Sequence, residues 1–293
     1  MTYVGRLLLI LSFLPLLAAA QEGDAEPLPL WDYGIALAYL RFPYYPASEQ
    51  TKVWYLPVPT FQYRGEILRS TQKEGTRAYF LKSDNWSVEL GGAGVVEVKS
   101  DQTFARQGMA DIPWSLQLGP KAVYRDGEGS EVNLGIYQSI VTDFSRTKTN
   151  GAIYQGQILH SWLYPVKDSN AKTTLLAGMG GATQEYMATY FDVRAENANS
   201  QRPLYESRSG FLSYEFLLVQ SFKYRKYSYF AYLNAERFEL SANRTSPLHR
   251  TDQNLSATVG VTYVVGESER KAMPEDEGQG LLQKIKIPGL QQK

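Results

Sequence analysis

The chain has 293 residues, and its 30 lysines and arginines balance its 30 aspartates and glutamates. It contains no cysteine, which excludes a disulfide framework and a thiolate metal site. No block of basic residues stands out, so we do not expect a nucleic-acid partner.

The N-terminal residues have the pattern of a secretory signal peptide. Arg6 supplies a positive charge, residues 7–17 are apolar, and three alanines end at Ala20, before Gln21. A charged start, a short apolar stretch and small residues before the cleavage point are typical of such a leader. The apolar stretch is too short for a transmembrane helix, which needs about 20 residues. We therefore predict export and cleavage between Ala20 and Gln21.

The rest of the chain alternates apolar and polar residues, which is the pattern of β-strands. In the last run Leu255, Val259 and Tyr263 share one face, and Ser256 and Thr258 share the other. The runs have about ten to fourteen residues, near the length of a tilted transmembrane strand. Aromatic residues lie near their ends, as expected at a membrane–water interface. The predicted strands are 31–42, 53–64, 66–72, 76–83, 86–98, 113–125, 131–142, 152–164, 172–190, 209–223, 227–240 and 254–266.

The predicted connections alternate between long and short along nearly the whole chain. Bacterial outer-membrane barrels have short periplasmic turns and long external loops, so this alternation favours an up-and-down barrel. Unpaired backbone amides cost several kcal/mol each in lipid, so the last strand must pair with the first. The short hairpin at 73–75 leaves ten or eleven strands as alternatives to twelve. The predicted long connections are 43–52, 99–112, 143–151, 191–208 and 241–253.

These patterns predict an all-β fold, an antiparallel up-and-down transmembrane β-barrel of about twelve strands at 31–266. We expect it to follow the cleaved signal peptide at 1–20 and a short periplasmic segment at 21–30. A periplasmic tail at 267–293 would come last. Its composition favours a disordered extension. The alternative is a periplasmic docking segment with an apolar face formed by Leu281, Leu282, Ile285, Ile287 and Leu290.

Four stretches of the sequence carry a family pattern. They are Tyr44–Gln50; Leu56–Pro59 with Phe61–Gly65 and Leu68-Arg69; Gly108–Asp111 with Leu118–Pro120; and Tyr190–Val193 with Ala195, Ala198, Ser200 and Tyr205. In this order they resemble the MipA/OmpV family of outer-membrane proteins, and the similarity extends from Trp31 to Gly266. The resemblance implies a barrel in the outer membrane of a Gram-negative bacterium.

The same resemblance implies partners. The family takes its name from a protein that binds a periplasmic lytic transglycosylase and is proposed to hold it together with a murein synthase. Other members resemble porins or adhesins, so the implied activity is less specific than the implied location. In the last strand, Thr258, Gly260, Tyr263 and Val265 resemble the signal recognised by the barrel-assembly machinery. Outer-membrane lipids are the remaining expected partner.

The sequence offers few candidates for catalysis. Its two histidines are His160 and His249. Ser161 is adjacent to His160, but neighbouring strand residues point to opposite faces and cannot form a dyad. We expect His249 to be a solvated loop histidine. We therefore predict no catalytic, cofactor or metal site, and a protein that is not an enzyme.

Charged and amide residues on the polar strand faces should point into the lumen. One interpretation is a packed ion-pair network that plugs the barrel, and the alternative is a wetted pore lining. Our first functional hypothesis is a scaffold for murein-remodelling enzymes. A pore for small solutes and an adhesin or receptor using loops 99–112 and 191–208 are the alternatives. The predicted lumen residues are Glu89, Glu97, Lys121, Arg125, Asn133, Asn234 and Glu236.

Overall fold

The computed structural model describes residues 28–71, 75–142, 147–166 and 169–272. The predicted cleavage site at Ala20 and Gln21, and the apolar residues of the predicted tail, lie outside these ranges. Twelve strands form one closed antiparallel barrel in which each strand pairs with its neighbours in sequence. The fold predicted from the sequence is therefore confirmed.

The strands follow the chain in order. They are β1 (Trp31–Pro43), β2 (Thr51–Arg64), β3 (Leu68–Thr71), β4 (Gly75–Lys82), β5 (Trp86–Val95), β6 (Ser115–Arg125), β7 (Ser130–Thr142), β8 (Thr147–Val166), β9 (Ser169–Ala182), β10 (Gly210–Tyr224), β11 (Tyr227–Arg237) and β12 (Gln253–Glu267). Among the described residues, one α-helix, α1 (Gln184–Phe191), follows β9, and three short 3₁₀ segments lie at Ser100–Gln102, Phe104–Arg106 and Ala195–Asn197. No described helix is long and apolar enough to cross a bilayer.

The barrel closes where β1 pairs with β12, as the cost of open edges in lipid requires. The register shifts between Tyr33 and Gly34, and the backbone of β12 approaches closely at this point. A Cβ atom on Gly34 would lie 2.2 Å from the carbonyl oxygen of Tyr263. A glycine is therefore required for the two strands to meet.

Large apolar side chains face outward and polar ones face inward, the reverse of a soluble protein. On the outer face Tyr55 is 76% exposed and Leu134 is 64% exposed. On the inner face Glu89 and Thr262 are buried. The outer surface also carries the aromatic residues at the strand ends; for example, the rings of Trp86 and Tyr124 lie 4.9 Å apart.

Two predicted boundaries are wrong. The predicted strand 172–190 ends at Ala182, and the following residues form α1. Apolar residues at Tyr186, Met187, Tyr190 and Phe191 follow helical spacing and are buried together, so tertiary packing selects the helix. The predicted long connection 143–151 is also wrong, because β8 begins at Thr147.

The two ends of the barrel differ. At the end we call the loop end, long connections cover residues 44–50, 96–114, 183–209 and 238–252. At the opposite turn end the connections are short, and both described termini lie there. The terminal segments extend the pairing of β1 with β12, since the amide of Leu30 donates to the carbonyl of Arg270 at 2.8 Å.

Candidate functional site

The four long connections pack together into one structure across the loop end, which we call the cap. Its centre is a cluster of buried apolar side chains contributed by all four connections, and Ile153 and Leu212 of the barrel wall pack against it. The main members of the cluster are Tyr45, Val98, Ile112, Met187, Phe191 and Phe238. The cap therefore has its own hydrophobic core.

Buried polar groups connect the cap further. The Arg106 guanidinium donates to the carbonyl of Tyr190 at 3.1 Å, and the Tyr45 hydroxyl donates to the carbonyl of Leu248 at 3.0 Å. Burial raises the pKa of Tyr45 to about 12 and lowers the pKa of Arg106. These contacts join segments that are distant in sequence and fix their relative positions.

His249 belongs to the cap, and the expectation of a solvated histidine is wrong. Its side chain is 5% exposed and lies against the rings of Phe191 and Phe238. Its Nε2 lies 3.0 Å from Oδ1 of Asp252, which also pairs with Arg244 at 2.7 Å. Hydrogen bonds from Arg244 and then His249 hold the pKa of Asp252 below its ordinary value. The histidine is a packing and bridging residue of the cap.

His160 lies in β8 on the outer face, where its Nδ1 is 2.9 Å from the hydroxyl oxygen of Ser130. Ser161 points to the opposite face, and its hydroxyl lies 2.7 Å from that of Thr174. Within the described ranges, no group of three or more histidine, aspartate or glutamate side chains is placed to hold a metal ion.

A network of charged side chains lies in the lumen near the turn end. Glu89, on β5, is fully buried. One of its carboxylate oxygens accepts from Arg125 at 2.8 Å and from the Ser87 hydroxyl at 2.7 Å. Lys121 lies 3.4 Å from the other oxygen, and Arg77 lies 3.8 Å from it.

Glu131 extends this network on β7. It accepts from Nε of Arg125 at 2.9 Å and lies 3.7 Å from Arg77. Within this set, three cations, Arg77, Lys121 and Arg125, thus surround two carboxylates. We call this set of five residues the basic network.

The opposite wall carries two carboxylates. Glu215 on β10 and Glu236 on β11 are paired directly across the two strands. Gln155 donates to Oε1 of Glu215 at 2.9 Å, and Gln157 donates to the same oxygen at 2.5 Å. Glu236 has neither a hydrogen bond nor an ion pair within the described residues. We call Glu215 and Glu236 the acidic pair.

A cavity of about 330 Å³ lies between the basic network and the acidic pair. Arg77 and Lys121 contribute to one side, Glu215 and Glu236 to the other. Neutral polar side chains form much of the remaining wall, and Tyr186 of α1 contributes on the cap side. The cavity therefore has walls of opposite charge.

Sequence reasoning placed several of these residues in the lumen and missed others. Asn133 and Asn234 lie on the inner strand faces, whereas Glu97 follows the end of β5 and pairs with Lys99 at 2.7 Å on the surface of the cap. Arg77, Glu131 and Glu215 were missed. Strand alternation assigns Glu131 to the same face as Asn133 and was the available signal.

In the predicted assembly signal, Thr258 and Gly260 face inward and Tyr263 and Val265 face outward. Gly260 allows a close approach of β1, because a Cβ atom there would lie 2.9 Å from the carbonyl oxygen of Leu37. The close approach of β1 explains why position 260 requires a small residue. Recognition by the assembly machinery stays a prediction.

Comparison with solved structures finds a porin refined at 1.8 Å resolution and OccK8 (OprE) of Pseudomonas aeruginosa. The porin is 11% identical with a TM-score of 0.27, over 80% of this chain and 99% of the porin. OccK8 is 9% identical with a TM-score of 0.22, over 71% of this chain and 68% of OccK8. Similarities this weak do not define a function.

No curated protein sequence matches this chain. The family described as MltA-interacting protein MipA matches residues 35–265, from β1 to β12. Each of the four stretches that carry the resemblance lies within this match. The protein is an outer-membrane β-barrel and belongs to the MipA family.

Proposed function

We propose that this barrel is a non-enzymatic scaffold that holds murein-remodelling enzymes, a lytic transglycosylase and a murein synthase, at its turn end. The family is named for interaction with MltA. A scaffold acts through its surfaces and does not need an open channel. The proposal therefore depends on how completely the lumen is occupied.

The observation that supports the proposal is that protein side chains occupy the lumen near both of its ends. The cap lies across the loop end, with Tyr186 hydrogen-bonded to Gln117 of the barrel wall at 3.1 Å. The basic network lies in the lumen near the turn end, where Glu89 is buried among three cations. This arrangement favours the plugged interpretation of the lumen over a pore for small solutes.

We assign the turn end to the periplasm. Short turns face the periplasm in bacterial barrels. With twelve strands, both termini of the barrel lie at the same end, and export by the predicted leader would leave them in the periplasm. In this orientation the turns at 126–129 and 225–226, and the described C-terminal end at Ala272, would face the murein.

A pull-down from envelope extracts tests the scaffold. Tagged full-length protein should recover a lytic transglycosylase and a murein synthase at native levels. The charge reversal Arg225→Glu with Lys226→Glu, or deletion of residues 273–293, should reduce that recovery. Arg202→Ala is the matched control, because Arg202 donates to Ala105 within the cap at the opposite end. Failure to recover either enzyme with folded protein would refute the proposal.

Planar-bilayer recording separates the scaffold from a pore. Folded protein should give no conductance steps, because the cap and the basic network obstruct the lumen. Regular steps that disappear in a sample without protein would instead support the pore for small solutes.

A further inference from the structure

The scaffold hypothesis does not use the cavity between the basic network and the acidic pair. The strands that carry its charges lie across the barrel from each other. In the closed order of twelve strands, β4 is six positions from β10, and β5 is six positions from β11. The positive and negative walls therefore face each other across the lumen.

The acidic pair is unfavourable without an additional partner. Like charges directly opposite each other on neighbouring strands destabilise a sheet. Glu215 accepts two neutral amide donors, whereas Glu236 has no described partner for its charge. Asn254 pairs with Glu236 from the other side. The side-chain amide of Asn254 is hydrogen-bonded to the backbone of Ala47 and Ser48. A cationic group in the cavity would compensate the negative charge of this wall.

The opposite wall suits an anionic group. The cations Arg77 and Lys121 of the basic network line the cavity. The volume of about 330 Å³ is at the lower end of ligand-sized pockets, which have about 300–1,000 Å³. A small group that bears both charges would fit both walls at once.

The cavity also lies next to two strand edges that have no pairing partner among the described residues. Among the described residues, β2 pairs with β3 only at Tyr63 and Arg64, so residues 51–62 pair with β1 alone. Similarly, β5 pairs with β4 only as far as Leu90, so residues 91–95 pair with β6 alone. We call the opening between these two unpaired edges the window. At the loop end of the window Lys52 of β2 donates to Gln102 of the cap at 3.1 Å, and the paired residues of β3 and β4 lie at the turn end.

The residues at the window are suited to contact with lipid chains. Pro57 and Pro59 have no backbone N–H, so they reduce the number of unpaired donors on the β2 edge. Leu56 and Val58 face inward and are 39% and 38% exposed, so the opening is apolar on the lumen side as well. Unpaired backbone at membrane depth is tolerated where it lines a cavity. On the β5 side, Gly91 to Ala93 line both the window and the charged cavity.

We propose that the cavity binds the zwitterionic headgroup of an amphiphile, and that the amphiphile reaches it from the bilayer through the window. The anionic group lies toward Arg77 and Lys121, and the cationic group lies toward Glu215 and Glu236. The apolar chain passes between the β2 and β5 edges and stays in the bilayer. A free zwitterion shares the headgroup chemistry but needs no window, so the two sources can be separated by experiment.

The first test measures binding of phosphatidylethanolamine, with a fluorescent acyl chain, to the purified full-length protein in detergent. It should bind at least about ten-fold more tightly than phosphatidylglycerol, which lacks the cation. Glu215→Gln with Glu236→Gln should weaken binding by about thirty-fold or more, the lower end for removing one partner of a buried charge pair. Glu97→Gln, on the surface of the cap, is the matched control and should change nothing.

The second test blocks the window. Gly94 lies on the β5 edge, and a Cβ atom there would meet no atom within 4 Å, so Gly94→Trp can be accommodated. It should slow association of the labelled lipid by about ten-fold, because its indole occupies the path. Gly156→Trp is the control, since Gly156 lies on the outer face of β8, away from the window. The temperature-dependent gel shift of a folded barrel verifies that each variant is folded.

Four results would overturn the proposal. Equal affinity for phosphatidylglycerol would show that the ligand needs no cationic group. An equal loss of affinity in Glu97→Gln would show that the acidic pair does not form the binding site. Competition by free phosphoethanolamine with the affinity of the lipid would show a site for a soluble zwitterion. Equal association rates for Gly94→Trp and Gly156→Trp would exclude the window as the route.

Discussion

The basic network makes a quantitative prediction about the stability of the barrel. Glu89→Gln preserves the shape of the side chain and one hydrogen-bond acceptor but removes its charge. Arg77 and Arg125 would keep their contacts with Glu131, whereas Lys121 would lose its ion pair with Glu89. Breaking a buried ion pair by removing one partner costs about 3–5 kcal/mol. Because Arg125 is 25% exposed and keeps its contact with Glu131, we expect about 3 kcal/mol.

The assay is equilibrium unfolding in urea with the protein in detergent or bilayers, followed by tryptophan fluorescence and by the gel shift. The loss should come from the unpaired cations, so Lys121→Met in the Glu89→Gln background should recover part of it. Glu97→Gln is the matched control, because Glu97 and Lys99 form an exposed pair worth about 0–1 kcal/mol. If Glu89→Gln lies within about 1 kcal/mol of this control, the network does not stabilise the barrel as argued.

Three further predictions concern the cap and the closure of the barrel. Phe191→Ala removes a fully buried ring, so the cap should lose about 3–5 kcal/mol and residues 183–209 should become protease-sensitive while the gel shift persists. Because the hydrogen bond from Arg244 lowers the pKa of Asp252, the ionised Asp252 carboxylate stabilises the cap. This stabilisation is complete above the ordinary aspartate pKa of about 3.9 and is lost as the pH falls through the lower pKa of the folded protein. Near-ultraviolet circular dichroism of the cap tyrosines should therefore be constant from neutral pH to about 5 and decrease below about 4; a decrease near neutral pH would contradict this. Gly34→Ala should prevent or slow barrel closure, since its Cβ atom would lie 2.2 Å from the Tyr263 carbonyl oxygen; a normal folding yield by gel shift would contradict this.

The barrel could be predicted from the sequence because its determinants are local. Alternation assigns each side chain to a face, and the closure of β1 on β12 follows from the cost of open edges in lipid. The order of strands follows from short and long connections. The predicted end of β9 was wrong because both β-strand alternation and helical spacing fit the residues after Ala182. Only the packing of these residues in the cap selects the helix.

The cap could not be predicted in the same way. Its core brings together Tyr45, Val98, Met187 and Phe238, which are separated by at least about fifty residues in the chain. Apart from Met187, which lies in α1, these side chains lie in connections without a regular period. The sequence therefore indicates four long loops but not that they share a hydrophobic core, and the burial of His249 is hidden for the same reason.

The acidic pair, in contrast, was within reach of sequence reasoning. A two-residue connection at 225–226 places Tyr224 opposite Tyr227 and fixes the register of the whole hairpin. Counting outward from that turn places Glu215 opposite Glu236, and alternation assigns both to the lumen. Alternation was applied to Glu236, but the register was not used to find its partner.

The acidic pair and Glu89 should respond to the same substitution with opposite signs. Glu89 is surrounded by cations, so its charge stabilises the barrel. Glu236 faces another carboxylate, so Glu236→Gln should increase the free energy of unfolding by up to about 1 kcal/mol, the range for pairs opposite each other on neighbouring strands. The same substitution should weaken binding of phosphatidylethanolamine. A charged side chain that lowers the stability of the barrel and raises its affinity for a ligand is explained by ligand binding and not by folding. Destabilisation by Glu236→Gln in lipid-free detergent would mean that its charge is already satisfied within the protein, and the cavity would then lose its reason to bind a cation.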